Sequence, residues 1–203
     1  MLRTDTLSEQ TLVLLKRLQT IPLFKDLRLV GGTALVLQLG HRESVDLDLF
    51  GNVDTDYETV QQAIISVDKE CRLLNATTNI WQFMVANVKV DIVNYPYKWI
   101  DDAMIEAEIT LASIKDIAAM KLAAITGRGT KKDFVDLYFL LQHFTLPEMF
   151  GFFNEKYPNV DLFMTYRSVV YFEDAEQTEM PVMLITTEWE DVKEKIRQEI
   201  RKL

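Results

Sequence analysis

Two aspartates stand two residues apart in the segment VDLDLF (45–50), where acidic and apolar residues alternate. Residues i and i+2 of a β-strand project from the same face, so we expect Asp46 and Asp48 on one face and Val45 on the other. Two carboxylates on one face can converge on a divalent cation, because Mg²⁺ prefers oxygen ligands. The pair alone is an ambiguous signal, since exposed strand faces also carry acids for solubility.

A third acid and a glycine pair strengthen the metal interpretation. Asp91 lies among apolar neighbours in a second predicted strand, where an acid is costly unless it is paired or bound to a metal. Gly31 and Gly32 stand at a predicted strand-to-helix junction, where bare backbone N–H groups and a helix N-terminus favour a phosphate. The 13 residues from 33 to 45 leave room for one short helix before Asp46. Together these features predict a site for Mg²⁺ and a nucleotide phosphate.

Periodicity predicts the elements that must position these residues. Residues 27–30 are predicted as a short strand that leads into the glycine pair, and the helix that follows ends at Gly40. Thr6 with Glu9 predicts a capping box that opens an amphipathic first helix. The remaining segments of this half are predicted as a helix over 57–67 and strands over 71–78, 81–86 and 88–95, the last two joined as a hairpin near Ala86 and Asn87.

The pattern becomes helical after residue 110. Ser113 and Thr130 are each followed three residues later by an aspartate, which predicts the N-caps of two helices, and two or three further helices should follow. We therefore expect an α/β (α+β) fold with an α/β core over 1–110, in which helices flank a short mixed sheet. A helical C-terminal region over 111–203 should pack on that core.

Three segments resemble the motifs of the AbiEii/AbiGii toxin-type nucleotidyltransferases. The first is GGTALVLQLGHRESVDLDLF (31–50), in which Arg42 and Ser44 precede the acids, and the second is the Lys-x-Asp of Lys89 and Asp91. The third is KLAAITGRGTKKDFVDLYFL (121–140), with matching residues at Lys121, Arg128, Lys132, Asp133 and Asp136. The resemblance extends over residues 27 to 141.

This resemblance implies a reaction that uses two metal ions. Asp46 and Asp48 would ligate two Mg²⁺ ions, one of which holds the β- and γ-phosphates of a nucleoside triphosphate (NTP). The other, completed by Asp91, would lower the pKa of an attacking hydroxyl, and Asp91 is also a candidate general base. In-line attack on the α-phosphorus would release pyrophosphate, with charge neutralisation and alignment supplying most of the acceleration.

Phosphate contacts are implied for a second set of residues: Gly31, Gly32, Thr33, Ser44 and Lys121. The alternative for Lys121 is an ordinary solvated lysine. For Asp136 we prefer a structural role, because it lies one helical step after Asp133 and could pair with Arg128 or Lys132.

The resemblance leaves the acceptor open. The leading hypothesis is transfer of a nucleoside monophosphate (NMP) to a hydroxyl of RNA, such as a tRNA 3′ end, or of a protein. The enzyme would then be the toxin of a toxin–antitoxin or abortive-infection system, controlled by an antitoxin protein. One alternative is nucleotidylation of a small molecule, as in aminoglycoside-modifying relatives. The other is a nucleotide-binding module without turnover, although all three acids are present.

Composition sets the remaining limits. The chain has 203 residues, 48% hydrophobic and 26% charged, and a single cysteine, which together indicate a globular cytoplasmic protein of a reducing compartment. A net charge of −9 argues against a protein that coats long double-stranded nucleic acid. The start shows no secretory signal, and no apolar run approaches the ~20 residues of a membrane span, so no membrane partner is expected.

Overall fold

The computed structural model describes residues 1–53 and 55–202, and the chain divides into two compact units. Unit 1 is formed by Met1–Gln38, Ser44–Tyr97 and Asp102–Ala112. Unit 2 is formed by Leu39–Glu43, Lys98–Asp101 and the chain from Ser113 onward. Each unit is built from segments that are not contiguous in the sequence.

Unit 1 contains a seven-stranded mixed sheet within the residues that the structure describes, which confirms the predicted α/β class. The strands are β1 (Arg28–Leu29), β2 (Leu47–Gly51), β3 (Arg72–Ala76), β4 (Ile80–Val85), β5 (Val88–Asn94), β6 (Met104–Glu106) and β7 (Ile109–Leu111), in the order β3-β4-β5-β2-β1-β7-β6. Strand β2 runs parallel to β5 and antiparallel to β1, while β1 runs parallel to β7. The parallel pairs require crossovers, which helices provide.

The central strands bury one face and leave the other partly open. In β2, Leu47 and Leu49 are fully buried whereas Asp48 between them is half-buried, and β5 repeats this alternation around Asp91. Val45 was predicted on the strand face opposite the acids, and this prediction is wrong. Strand β2 begins only at Leu47, and Val45 lies ahead of it and is 65% exposed. The acids therefore occupy the partly open face of the sheet.

Before Ser113, the α-helices among the described residues are α1 (Glu9–Gln19), α2 (Gly31–Leu39) and α3 (Tyr57–Val67). Both α2 and α3 agree with the prediction. The cap predicted at Thr6 is wrong, because Ser8 is the N-cap of α1 and its hydroxyl accepts from Thr11 N–H at 3.1 Å. The Thr6 hydroxyl instead donates to the Arg3 carbonyl, so it is committed to the preceding turn.

One hairpin was predicted and a second was not. The β4–β5 hairpin turns at Ala86 and Asn87, which have φ of 48° and 63°, as two-residue hairpin turns require. The β6–β7 hairpin turns in the same way at Ala107 and Glu108, with φ of 52° and 65°. Neither residue is a usual turn former and each strand has three residues, so the sequence offered no hairpin signal there.

Unit 2 is helical after Ser113. Its helices are α4 (Ile114–Gly127), α5 (Lys131–Leu140), α6 (Leu146–Lys156), α7 (Leu162–Val169), α8 (Glu173–Glu176) and α9 (Trp189–Ile200). The predicted caps are confirmed, since the Ser113 hydroxyl accepts from Asp116 N–H and Thr130 forms a capping box with Asp133. In the described part of the chain four helices follow α5, whereas two or three were predicted. The additional helix is α8, which is only one turn long and therefore has no clear periodicity in the sequence. Within residues 1–53 and 55–202, none of the helices combines the length and the apolar character that crossing a bilayer demands.

Candidate active site

Asp48 and Asp91 stand side by side on the partly open face of the sheet. They are register partners in the parallel pair β2–β5, so adjacent strands place their carboxylates next to each other. Asp46 precedes the first residue of β2 by one position. The charges of all three acids act on the Lys89 ammonium, which places Asp46 in the same neighbourhood. The structure therefore brings Asp48 and Asp91 together and places Asp46 within electrostatic range of the Lys89 ammonium that binds Asp91.

One oxygen of Asp91 is satisfied and the other is not. Oδ2 accepts from Lys89 Nζ at 2.8 Å and from Gln82 Nε2 at 2.7 Å. Oδ1 is buried and has no hydrogen-bond partner among the described residues. A buried carboxylate oxygen without a partner is costly, and a bound cation would offset that cost.

Lys89 and Gln82 are part of this site, although neither was predicted as a site residue. Burial opposes the charge of Lys89, but the hydrogen bond to Asp91 and the charges of Asp91, Asp48 and Asp46 outweigh it and raise the pKa of Lys89 above its usual value. Lys89 was already part of the Lys-x-Asp motif, and its contact with Asp91 could have been inferred because the two residues lie two positions apart on the same strand face. Gln82 could not, because only the β4–β5 register places it opposite Asp91.

Gly31 lies directly against Asp48. Its φ is +68°, and a Cβ built on it would stand 2.5 Å from Asp48 Oδ2. The neighbouring Val30 N–H donates to the Asp48 carbonyl at 2.9 Å, which fixes the strand beside the start of α2. At the start of α2, Ala34 N–H donates to the Val30 carbonyl. The N–H groups of Gly31, Gly32 and Thr33 precede this bond and, as at any helix N-terminus, have no partner within the helix. The predicted phosphate cradle therefore begins beside a predicted metal ligand.

The side chains of Thr33 and Ser44 bind each other. The Thr33 hydroxyl donates to the Asp46 carbonyl and lies 2.8 Å from Ser44 Oγ, and Thr33 is 1% exposed. This hydroxyl therefore fixes the chain that leads to Asp46. The phosphate contacts predicted for both residues remain predictions. For Thr33, the backbone N–H at the start of α2 is the group that could make such a contact.

The donor set fits Mg²⁺ by its chemistry. No group of three His, Cys, Asp or Glu side chains within 1–53 and 55–202 is already close enough together to enclose an ion. However, Asp91 presents a buried oxygen without a partner in those residues, and only a glycine leaves space in front of Asp48. All three candidate ligands are carboxylates, the class of ligand through which Mg²⁺ is usually held beside substrate phosphates.

Lys121, the last predicted phosphate ligand, lies in unit 2 and is not a solvated lysine. It is 4% exposed, and its ammonium lies 3.1 Å from Asp133 Oδ1 and 2.5 Å from Asp136 Oδ2. Asp133 also accepts from Arg128 Nε at 3.0 Å. Burial alone would raise the pKa of Asp133, but the charge of Lys121 and the hydrogen bond and charge of Arg128 hold it well below its usual range. Binding of phosphate by Lys121 remains a prediction.

The partners predicted for Asp136 are wrong. Its buried carboxylate accepts from Arg42 Nε at 2.7 Å and Arg42 Nη2 at 2.9 Å, from His41 Nε2 at 2.8 Å, and pairs with Lys121. Arg128 pairs with Asp133 instead of Asp136. Positions 42 and 136 are 94 residues apart, so helical spacing could not reveal the pairing.

We expect stability to fall as pH decreases from about 6.5 because of His41. Burial lowers the pKa of this fully buried imidazole, and the charges of Arg42 and Lys121 add to that effect against the opposing hydrogen bond of Asp136. The unfolded imidazole binds its proton near pH 6.5 but the folded one does not, so each pH unit below that value removes up to about 1.4 kcal/mol of stability. Urea unfolding at pH 7.5, 6.5 and 5.5 measures this slope.

His41→Gln should reduce that slope, because the glutamine amide can still donate to Asp136 but does not titrate. His143→Gln changes the other histidine of the chain and should keep the slope. Equal slopes for wild type and His41→Gln between pH 6.5 and 5.5 would contradict the assignment. The depressed pKa values of Asp133 and Asp136 act in a separate window, because their contribution is lost only as pH falls below about 4.

Comparison with solved structures shows the fold of nucleotidyltransferases. The chain is similar to a candidate nucleotidyltransferase from H. pylori, with a TM-score of 0.56, 18% identity and coverage of 97% of both chains. It is also similar to MenT4, the nucleotidyltransferase toxin Rv2826c from Mycobacterium tuberculosis H37Rv, with a TM-score of 0.56, 18% identity and coverage of 92% of this chain and 79% of that one.

The sequence gives the family. Residues 13–79 and 82–202 match the family described as nucleotidyl transferase AbiEii toxin of type IV toxin–antitoxin systems. An uncharacterized protein of Aquifex aeolicus (strain VF5) is 30% identical over 197 residues, which cover 92% of each protein. The chain belongs to the AbiEii family and is therefore an enzyme of the nucleotidyltransferase class, as the resemblance of its motifs predicted.

Proposed function

We propose that the protein transfers NMP from an NTP to an acceptor hydroxyl with the help of two Mg²⁺ ions held by Asp46, Asp48 and Asp91. The observation that carries this proposal is the pairing of Asp48 and Asp91 across β2–β5, with Asp91 Oδ1 buried and without a partner among the described residues. The pairing places two carboxylates side by side, and like charges so placed repel each other. A divalent cation would relieve the repulsion and satisfy the oxygen.

The chain's own residues supply the rest of the reaction. The N-terminus of α2, from Gly31 to Thr33, offers N–H groups to the triphosphate. The acceptor oxygen forms a bond to the α-phosphorus as the bond from that phosphorus to the bridging oxygen breaks, and pyrophosphate leaves. The Asp91 carboxylate takes the hydroxyl proton. Bound Mg²⁺ supplies charge neutralisation of the phosphates and lowers the pKa of the attacking hydroxyl.

Lys89 has a defined part in this scheme. Its ammonium holds Asp91 Oδ2 at 2.8 Å, so Oδ1 is the oxygen directed toward the cation and the substrate. Gln82 supports the same orientation from β4 with a 2.7 Å hydrogen bond. Two donors on one carboxylate oxygen fix the rotamer of the acid before substrate binds, which is the preorganisation that metal-assisted transfer needs.

The acceptor we propose is a hydroxyl of RNA, such as a tRNA 3′ end, or of a protein. Toxin activity is proposed from family membership, because the AbiEii family is described as toxins of type IV toxin–antitoxin systems. MenT4, which shares the fold, is likewise described as a nucleotidyltransferase toxin. An antitoxin protein would then be a regulatory partner.

Transfer can be tested with NTPs labelled at either the α- or the γ-phosphate. Purified protein with Mg²⁺ should move label from the α-phosphate to cellular RNA or protein and release the γ-label with pyrophosphate. Asp91→Asn should abolish both signals, and chelation of Mg²⁺ should do the same. Label on an added aminoglycoside alone would favour the small-molecule alternative. Binding of NTP without transfer to any acceptor would favour the module without turnover.

A further inference from the structure

The segment that leads into Asp46 is tied to α2 by two hydroxyl groups. The Thr33 hydroxyl donates to the Asp46 carbonyl, and its oxygen lies 2.8 Å from Ser44 Oγ. All three residues belong to unit 1. Thr33 is 1% exposed, whereas Ser44 and Asp46 are half-buried. One buried side chain of α2 therefore contacts the segment 44–46 at two points.

The hydrogen atoms of these two hydroxyls are already committed. A hydroxyl carries one hydrogen and a carbonyl oxygen can only accept, so the Thr33 hydrogen goes to the Asp46 carbonyl. In the contact between the two hydroxyls, Ser44 is then the donor and Thr33 the acceptor. Neither side chain keeps a hydrogen for a phosphate oxygen. This arrangement favours a role of the Thr33 hydroxyl in positioning the chain over a phosphate contact.

The start of α2 holds the backbone of two proposed metal ligands. Val30 N–H donates to the Asp48 carbonyl at 2.9 Å, and the Thr33 hydroxyl donates to the Asp46 carbonyl. The register pairs of β2–β5 include Asp48 but begin at Leu47, one residue after Asp46. Asp46 therefore lies just outside the paired strand, at the place where a bond from the neighbouring helix can fix it.

We propose that Thr33 is a positioning residue of the metal site. Its hydroxyl holds the Asp46 backbone against α2, so that the Asp46 carboxylate is oriented before the cation binds. Groups that orient a metal ligand from behind in this way tune metal affinity without touching the metal. Thr33 thus acts on the cation through Asp46, and its backbone N–H is left for the triphosphate.

This inference rests on the proposed function, and binding of Mn²⁺ without nucleotide tests it. Thr33→Val keeps nearly the same shape but cannot donate a hydrogen bond. Replacement of a group that orients a metal ligand typically weakens metal binding by about 10- to 100-fold, so we expect at least about 10-fold weaker Mn²⁺ binding in this variant. Thr33→Ser restores the hydroxyl and should recover most of the affinity. Titration followed by the electron paramagnetic resonance of free Mn²⁺ gives each affinity.

Thr11 provides a matched control within unit 1. It is 3% exposed and its hydroxyl lies 2.8 Å from the Ser8 hydroxyl, so it repeats the buried contact between Thr33 and Ser44. This contact stands at the start of α1, which contains none of the proposed ligands. Thr11→Val should therefore lower the urea midpoint of unfolding, as Thr33→Val does, and leave Mn²⁺ affinity unchanged.

The pattern across these variants decides the positioning role. Weakened Mn²⁺ binding in Thr33→Val, with recovery in Thr33→Ser and wild-type binding in Thr11→Val, supports it. Wild-type Mn²⁺ binding in folded Thr33→Val overturns it, and an accompanying loss of NTP affinity would assign the hydroxyl to phosphate instead. Equal weakening in Thr33→Val and Thr11→Val also overturns it, because metal loss would then follow stability alone.

Two further outcomes have a defined meaning. If Thr33→Val does not fold, Ser44→Ala decides, because it removes the donor that orients the Thr33 hydroxyl and lies at a half-buried position. Weakened Mn²⁺ binding in Ser44→Ala then supports the proposal, and wild-type binding overturns it. Failure of the wild type to bind Mn²⁺ would overturn the proposed metal site, and this proposal with it.

Discussion

Asp48→Asn should lower kcat/KM for nucleotidyl transfer at least about 10³-fold, equivalent to about 4 kcal/mol of transition-state stabilisation. Asparagine keeps the shape of the side chain but removes the negative charge from the centre of the acid cluster. Asp48 is the acid that lies both opposite Asp91 and against Gly31, so no neighbouring residue can replace its carboxylate at that point. Pyrophosphate release at saturating and at low NTP, with Mg²⁺ in excess, measures the change.

The same substitution should leave the fold intact. Two carboxylates side by side on neighbouring strands repel each other, so loss of one charge should keep the free energy of unfolding without Mg²⁺ within about 1 kcal/mol of wild type. Glu43→Gln is the matched control, because it removes one negative charge from an exposed residue five positions earlier and should retain full activity. Wild-type kcat/KM in folded Asp48→Asn would refute the assignment of this acid.

Gly31→Ala should reduce both stability and transfer. The left-handed backbone at φ +68° costs about 1–2 kcal/mol with any side chain. The new Cβ would also stand 2.5 Å from Asp48 Oδ2, so the carboxylate or the start of α2 must move. A displacement of about 1 Å at a reacting centre can cost about 10²-fold in rate, and we expect at least that loss of kcat. Thermal unfolding and NTP turnover give the two effects separately.

Two other glycines separate backbone strain from the effect on Asp48. Gly129 also has a left-handed φ, of +51°, but its Cβ would lie 3.2 Å from the Ile125 carbonyl and 3.6 Å from the Phe134 ring, far less crowded than the 2.5 Å at Gly31. Gly129→Ala should therefore lose comparable stability and keep its transfer rate. A Cβ at Gly127 would meet nothing within 4 Å, so Gly127→Ala should be neutral or gain up to about 1 kcal/mol. Equal loss of transfer in Gly31→Ala and Gly129→Ala would show that strain alone is responsible.

Local signals in the sequence were enough for much of unit 1. The alternation around Asp48 and around Asp91 predicted two strands. Once those two strands pair in the sheet, their register places the two acids side by side. Gly31 was predicted, from its place between a strand and a helix, to favour a phosphate, and that contact remains a prediction. The structure adds a reason for glycine that the sequence did not reveal, because a Cβ at this position would meet the Asp48 carboxylate. The Ala86–Asn87 turn was predicted because it joins two clearly alternating segments.

Long-range partners were beyond the reach of the sequence. Asp136 was expected to pair with Arg128 or Lys132, its neighbours in the sequence, but its carboxylate binds Arg42, 94 residues away. A fully buried acid needs charged or hydrogen-bonding partners, and these can come from distant parts of the chain. Lys121 was considered as a solvated residue or a phosphate ligand, whereas burial places it between Asp133 and Asp136. Neither periodicity nor capping patterns contain information on such contacts.

We propose that Asp46, Asp48 and Asp91 together hold the metal ions that activate an NTP. A crystal structure with Mg²⁺ and a non-hydrolysable NTP analogue tests it most directly. We predict carboxylate oxygens of all three acids about 2.0–2.1 Å from Mg²⁺, with two ions about 3.5–4 Å apart and the phosphates at the N-terminus of α2. Ions bound away from these acids, or Asp91 turned toward Lys89 with neither oxygen on a metal, would contradict the claim.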